Sequence, residues 1–256
     1  MREVKLNSKT FNYILYTSEE CVNSDVFVVQ LHGSGEVGNI DGSTLTKVEE
    51  TGYAKWFNSG TRYKFKIMAP QASSDSYKNI TINIEAELRR LGARIVIYMG
   101  WSKGAIKAIQ FLRMSTPEET CFHSDITMVD AIVSMAGNIS CSTDYTKAKD
   151  IPFILVHGTA DATVKYNCSK RIADEFSKID RVNETILYTI EGGNHKSAVT
   201  QGYDRNTEIG KAVHDMVLTF CSAAPEVPAR IPIVKTEFDP VMSRVVFTGD
   251  NGVEYS

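Results

Sequence analysis

No apolar run in the chain approaches the roughly 20 residues needed to span a bilayer, so membrane insertion is not expected. Nor is a secretory leader expected. Met1-Arg2-Glu3-Val4-Lys5 alternates charged with apolar residues, and no apolar core follows it. Cysteine is scarce: Cys21, Cys121, Cys141, Cys168 and Cys221 make five, odd in number and scattered, with no Cys-x-x-Cys pair. That distribution argues against structural zinc and against a disulfide framework, and for reduced, buried thiols. Excess positive charge is absent too. The formal net charge is −3, whereas a nucleic-acid partner would leave a basic excess or stripe. Internal repeats and low-complexity segments are also lacking. A cytoplasmic location is the expectation.

What is present suits a globular domain. The 256 residues are 43% hydrophobic and 23% charged, enough to bury a real core in one large α/β domain with a short appendage. The opening reads as two strands around a polar turn, 3–6 and 11–17. A run rich in β-branched residues, Val26 to Leu31, then stops abruptly at His32-Gly33-Ser34-Gly35. Further apolar runs follow at 65–69, 95–99, 131–135, 153–156 and 185–190, of the kind buried on both faces of a parallel sheet. Helical spacing alternates with them at 80–91, 103–114, 166–179 and 209–220. The expected fold is therefore α/β: a mostly parallel central sheet covered by helices on both faces, with an antiparallel start, as in the α/β-hydrolases.

Past residue 223 the texture changes. Ala224-Pro225-Glu226-Val227-Pro228 and Ile231-Pro232 form a proline-punctuated connector. Residues 243–247 and 253–255 then flank Thr-Gly-Asp-Asn-Gly as a candidate hairpin. The division is 1–223 for the main domain and 224–256 for a tail too small to own a core. The tail would pack on that domain or on a partner, and its edge could pair with a second copy of the chain.

Gly100-Trp101-Ser102-Lys103-Gly104 fits the pattern G-x-S-x-G. The pattern is short, so its setting carries the weight: a strand before it and a helix after it, as a nucleophile elbow requires. Gly100 and Gly104 are small where the tight turn leaves no room for side chains. A serine held there stands near a helix N-terminus, where developing negative charge is favoured.

A serine hydroxyl needs a histidine to take its proton and a third group to orient that histidine. In this fold the chain order is serine, acid, histidine, each at a strand's C-terminal end. Asp161 follows the 153–156 strand through His157-Gly158-Thr159-Ala160. His195 follows the 185–190 strand through Glu191-Gly192-Gly193-Asn194, read as a flexible loop able to swing the imidazole over Ser102. His214 lies inside the terminal helix, His123 precedes its strand, and His157 comes before the acid and is assigned to packing. Asp144 and Asp150 precede the 153–156 strand and are poorer acids.

Acyl transfer also needs backbone N–H groups aimed at the developing oxyanion. The amide of Lys103 is one candidate. The loop His32-Gly33-Ser34-Gly35-Glu36 supplies the other, with Ser34 preferred and Gly35 next. The loop lacks the lysine and the spacing of a P-loop.

Leu-His-Gly-Ser-Gly-Glu at 31–36, Met-Ala-Pro-Gln at 68–71, Gly-Trp-Ser-Lys-Gly at 100–104, His-Gly-Thr-Ala-Asp-Ala-Thr-Val at 157–164 and Gly-Gly-Asn-His at 192–195 stand in one order. In these stretches the chain resembles the α/β-hydrolase serine esterases of the phospholipase/carboxylesterase and dienelactone-hydrolase-like group. The nearest pattern is that of the predicted-peptidase or polyhydroxybutyrate-depolymerase-like esterases. The resemblance covers roughly residues 25 to 220. It implies Ser102 as nucleophile, Asp161 and His195 as its partners, and the 32–35 loop as part of an oxyanion hole. The chain departs from the family at Lys103 and Ala105, where methionine and a second glycine are usual. It departs again at 73–77, where the family tends to place a tryptophan.

The chemistry expected is acyl-enzyme hydrolysis of a carboxylic ester without metal or organic cofactor. The same three residues would serve a thioester or a peptide bond. A binding or assembly protein that keeps this fold without activity is the rival from another class, since fold does not fix function. Only 137–150 separates the 131–135 strand from the 153–156 strand, too short for a large helical lid. An open site would suit soluble or polymer-attached esters better than long-chain lipids.

Overall fold

A strand sends successive side chains to opposite faces, so a strand that is apolar throughout must be covered on both. The computed structural model describes residues 1–6, 11–73, 81–113, 128–138, 150–180, 182–183, 185–222, 233–239, 244–249 and 254–255. In it Val26–Leu31 (β3) alternates in this way. Phe27, Val29 and Leu31 enter one apolar cluster with Val96, Tyr98, Leu155 and Phe176, while Val28 enters the other with Ile97, Met99, Val133 and Val156. All of these are fully or almost fully buried. Each such side chain contributes about 1.5–3 kcal/mol by leaving water.

The main sheet has eight strands. Arg2–Lys5 (β1) and Asn12–Tyr16 (β2) are antiparallel, and β2 pairs antiparallel with Lys66–Gln71 (β4). From β4 onward neighbours run parallel through β3, Ile95–Trp101 (β5), Ala131–Met135 (β6), Phe153–Gly158 (β7) and Thr185–Ile190 (β8). The spatial order is β1-β2-β4-β3-β5-β6-β7-β8. The chain leaves β3 toward β4 and then returns past β3 to β5, so the loops after β3 and β5 diverge. In open α/β sheets ligands bind in the crevice at such a switch point, at the strands' C-terminal ends.

Helices cover both faces, as expected. Thr81–Arg90 (α2), Lys103–Arg113 (α3) and Asn167–Phe176 (α4) carry residues of the Phe27 cluster, among them Leu88, Ile109 and Ile172. Gly52–Asn58 (α1), His195–Tyr203 (α5) and Glu208–Ser222 (α6) carry Tyr53, Tyr203, Val213 and Val217 to the other. Neither α1 nor α5 stands out in the hydrophobic pattern. The tail holds Ile233–Asp239 (β9), Arg244–Gly249 (β10) and Glu254–Tyr255 (β11), paired antiparallel in the order β11-β10-β9. The proline-rich connector, the hairpin's Asp-Asn-Gly turn, His123, Asp144 and the short 139–149 segment in the place of a lid lie outside the described residues. No described helix is long and apolar enough to cross a membrane.

Candidate active site

Ser102 stands between β5 and α3 with φ +52, in the left-handed region. A non-glycine residue there carries strain of order 1–3 kcal/mol, which persists only where the surroundings fix it. They do. The Ser102 amide donates to the Met135 carbonyl at 2.8 Å, and the Ile106 amide donates to the Ser102 carbonyl at 3.0 Å. The flanking glycines are obligatory for packing. A Cβ on Gly100 would lie 2.3 Å from the backbone of Gly104, and one on Gly104 would lie 2.2 Å from the carbonyl oxygen of Leu31. The elbow is thereby pressed against the end of β3.

His195 reaches the same point from the far edge of the sheet. Its Nε2 is 2.9 Å from the Ser102 hydroxyl, and its Nδ1 is 2.7 Å from Asp161 Oδ2. With the Nδ1 proton donated to the carboxylate, Nε2 is left as an acceptor facing the serine. His195 is not on a flexible loop. It is the first residue of α5, and Asn194 caps that helix: its side-chain oxygen accepts from Lys196 N at 3.0 Å and Ser197 N at 3.3 Å, while Ser197 Oγ accepts from Asn194 N at 3.0 Å. The helix starts at His195 because Asn194 supplies an N-cap, so the imidazole is set by α5 and does not swing on a loop.

Asp161 is buried, 4% exposed. Burial alone would raise its pKa. The hydrogen bond from His195, and those that Oδ1 accepts from Val164 N (2.9 Å) and Thr163 N (2.8 Å), outweigh burial and hold the carboxyl below its ordinary value. His157, expected only to pack, does more. Its Nε2 lies 2.9 Å from the Val164 carbonyl and 3.2 Å from Asp161 Oδ2, and its Nδ1 lies 2.7 Å from Ser169 Oγ. Two acceptors around Nε2 place the proton there, so His157 steadies both the acid and the loop that feeds it. The acid and base loops are also joined directly. Ala160 N donates to Gly193 O at 3.0 Å, and a Cβ on Gly158 would stand 2.1 Å from that same oxygen.

After β3 the chain runs through buried His32 and Gly33 into a single 3-10 turn, Ser34–Glu36, with Ser34 and Gly35 exposed. Glu36 N donates back to Gly33 O, so the amides of Ser34 and Gly35 are the turn's first donors and lack an acceptor within it. Lys103 opens α3. His32 braces the loop from below: its ring lies 2.6 Å from Gly33 O through Nδ1 and accepts from Ala72 N at 2.9 Å through Nε2. Burial pushes its pKa down to about 4, with Lys103's charge acting in the same direction, so the ring is neutral at neutral pH and can accept.

Glu36 and Gln71 had no role in the sequence reading. Glu36 is buried, and its Oε1 accepts from Trp101 Nε1 at 3.2 Å and from Thr51 Oγ1 at 3.2 Å. Burial raises its pKa. The Trp101 ring packs over Gly33, where a Cβ would meet it at 2.7 Å, and its centroid is 5.7 Å from that of His195. Gln71 Nε2 donates to Glu36 O at 2.9 Å and to Thr44 O at 2.8 Å. The one available signal was the acidic residue closing Leu-His-Gly-Ser-Gly-Glu. No cluster of histidine, cysteine or acidic side chains suited to a metal occurs among the described residues.

Known structures share this architecture at low identity. A carbohydrate esterase from gut microbiota superposes with a TM-score of 0.60 at 14% identity, over 87% of this chain and 96% of its own. The butyrate-bound thermophilic esterase of the planctomycete Thermogutta terrifontis gives 0.56 at 17% identity, over 88% and 96%. A thermostable esterase gives 0.55 at 16% identity over 87% of this chain, which spans only 62% of that longer protein. This chain has the α/β-hydrolase fold. No protein-family profile and no curated protein sequence matches it.

Proposed function

We propose that the protein is a serine hydrolase that cleaves carboxylic esters through an acyl-enzyme, with Ser102 as nucleophile, His195 as base and Asp161 as the group that orients the base. The observation that carries this reading is the unbroken chain Ser102 Oγ to His195 Nε2 to Asp161 Oδ2, at 2.9 and 2.7 Å, ending on a serine in the left-handed region. Esterases among proteins of the same fold support the assignment of the bond cleaved.

In the proposed cycle His195 Nε2 accepts the Ser102 proton as Oγ attacks the ester carbonyl. The resulting oxyanion is held by the amides of Lys103 and of Ser34 or Gly35. The imidazolium, stabilised by ionised Asp161, returns the proton to the departing alcohol. Water then attacks the acyl carbonyl as it gives a proton to His195, which returns that proton to Ser102 Oγ as the acid departs. Ester groups that are short or attached to a polymer are the proposed substrates, because the connection between β6 and β7 is too short for a large lid.

The test is labelling of the purified protein with a fluorescent fluorophosphonate beside Ser102→Ala, followed by p-nitrophenyl esters of rising chain length. Labelling that vanishes in the variant, with acetyl and butyryl esters preferred, is expected. An unlabelled but folded wild type would sink the hydrolase reading and favour a binding protein on this fold.

A further inference from the structure

A second cavity lies away from the serine, where α1 and the turn after it meet the corner between α5 and α6. It encloses about 320 Å³, within the range of small-ligand sites. Half-buried Trp56 forms a wall, and Tyr63 and Tyr203, each 2% exposed, lie deeper. Asp204, Arg205 and Asn206 bring a carboxylate, a guanidinium and an amide to the lining. His195 and Tyr203 mark opposite ends of α5, some 12 Å apart at about 1.5 Å per residue. The cavity is therefore not the catalytic crevice.

The polar side of the cavity is rigid. Asp204 Oδ1 accepts from Asn206 N at 3.0 Å and from Asn206 Nδ2 at 2.9 Å, and Thr207 Oγ1 donates to the carbonyls of Asp204 and Gln201 at 2.8 Å each. A Cβ on Gly210 would fall 2.1 Å from Asp204 O, so α6 must pack directly on this corner. Arg205, held on it and exposed, pairs with no carboxylate among the described residues.

The aromatic side is polar where no internal reason requires it. The buried Tyr63 hydroxyl has no hydrogen-bond partner among the described residues. Thr61, also lining the cavity, bears on that hydroxyl as a hydrogen-bonding side chain, though outside the geometry of a formed bond. A buried hydroxyl left unpaired costs about 1–3 kcal/mol, and phenylalanine would avoid that cost. The chain keeps a donor and acceptor just behind the cavity wall.

From these observations we infer that the cavity is an accessory binding site for a neutral sugar ring, as part of a saccharide chain. An indole wall offers a flat face for the C–H face of a pyranose. The phenol, amide, carboxylate and guanidinium form a mixed donor and acceptor set that suits several hydroxyls at once. A carboxylate and a guanidinium in one small cavity offset each other, which disfavours an anion or a cation. So polar a lining disfavours an aliphatic chain. If the ester is polymer-attached, a consequence that rests on the function proposed above, the site holds the polymer while Ser102 works on its acyl group.

The chain has two tryptophans, so Trp101→Phe leaves Trp56 as sole reporter. Full-length Ser102→Ala/Trp101→Phe protein is titrated with xylotriose, cellotriose and mannotriose, and with 4-hydroxybenzoate as an aromatic anion, following Trp56 emission and heat of binding. Saturable binding of at least one trisaccharide is expected, weakened tenfold or more by Arg205→Ala and several-fold by Tyr63→Phe. A Trp56→Ala protein, followed by heat alone, should lose binding. Because the serine is absent, the result does not depend on the hydrolase reading. Overturning results are no saturable trisaccharide binding, binding indifferent to both Arg205→Ala and Trp56→Ala, or preference for 4-hydroxybenzoate.

Discussion

Gly104→Ala adds one methyl group, with no charge and no hydrogen-bonding atom, yet it strikes the elbow where three backbone segments converge. Its Cβ would lie 2.2 Å from the Leu31 carbonyl oxygen, 2.5 Å from Leu31 C and 2.7 Å from the His32 carbonyl oxygen. Ordinary contact begins at 3.4 Å, so α3 and the end of β3 must part by about 1.2 Å at the closest of these. No side chain can rotate away, because every obstacle is backbone. Overpacking of this kind costs roughly 1–3 kcal/mol. At about 2–4 °C per kcal/mol for a chain of this size, Tm should fall by roughly 2–12 °C. Activity should suffer more. Leu31 and His32 lead into the loop that carries the Ser34 and Gly35 amides, and Gly104 follows Ser102 by two residues. Parting them shifts the proposed nucleophile relative to the proposed oxyanion donors by the distance at which about 10²-fold in rate is lost. Initial rates on p-nitrophenyl acetate, read beside a thermal melt, give both quantities. A variant that melts like wild type and keeps most of its kcat would refute the close approach of α3 to β3 and the idea that it sets the site.

The other predictions concern buried titratable groups. Glu36→Ala leaves the Trp101 N–H without its acceptor and loosens the ring that lies between Gly33 and His195; kcat should fall about tenfold and stability by about 1–3 kcal/mol. Glu36→Gln, which keeps an oxygen for that N–H, should recover most of the rate, and equal kcat in all three proteins would exclude a positioning role. His214 sits among Tyr53, Tyr63 and Phe65 with Nδ1 unpartnered among the described residues. Burial, helped by the charge of Arg205, lowers its pKa to about 4. Between that value and about 6.5 the unfolded chain holds a proton that the folded chain does not, so stability is complete above the window and declines as pH falls through it. At pH 5 the deficit is about 2 kcal/mol. His214→Phe should reduce the loss of Tm between pH 7 and pH 5, and an unchanged slope would show that His214 does not titrate this way.

The sheet was legible because its strands are β-branched runs bounded by glycine and polar turns, and eight of its strand ends fall where the pattern puts them. Helix α5 was not. Glu-Gly-Gly-Asn reads as loop, and the helix it opens buries only Ala198, Val199, Gly202 and Tyr203, too few to mark a period. The signal was Asn194 with Ser197 three residues on, a cap whose second member is serine in place of the more usual glutamate. The positions of Ser102, Asp161 and His195 at strand ends followed from chain order. What braces them could not follow, because Glu36, Gln71 and His157 act through contacts across 15 to 65 positions or on backbone carbonyls that no spacing rule encodes. A buried glutamate in a glycine-rich loop looks solvated until the Trp101 ring is seen above it.

The same contacts explain how strain at one residue can be sustained. Ser102 alone would relax out of the left-handed region and gain of order 1–3 kcal/mol by doing so. It is prevented from three directions: the Met135 carbonyl holds its amide, the Ile106 amide holds its carbonyl, and Gly104 fixes where α3 starts against β3. His195 is constrained in the same manner, by the Asn194 cap behind it and by Asp161 beside it, whose carboxylate is held in turn by two backbone amides. Ser102 is therefore positioned by backbone groups, Asp161 by two backbone amides together with the His157 ring, and His195 by the side chains of Asn194 and Asp161. Preorganisation of this kind stabilises a transition state without reorganisation at the moment of reaction.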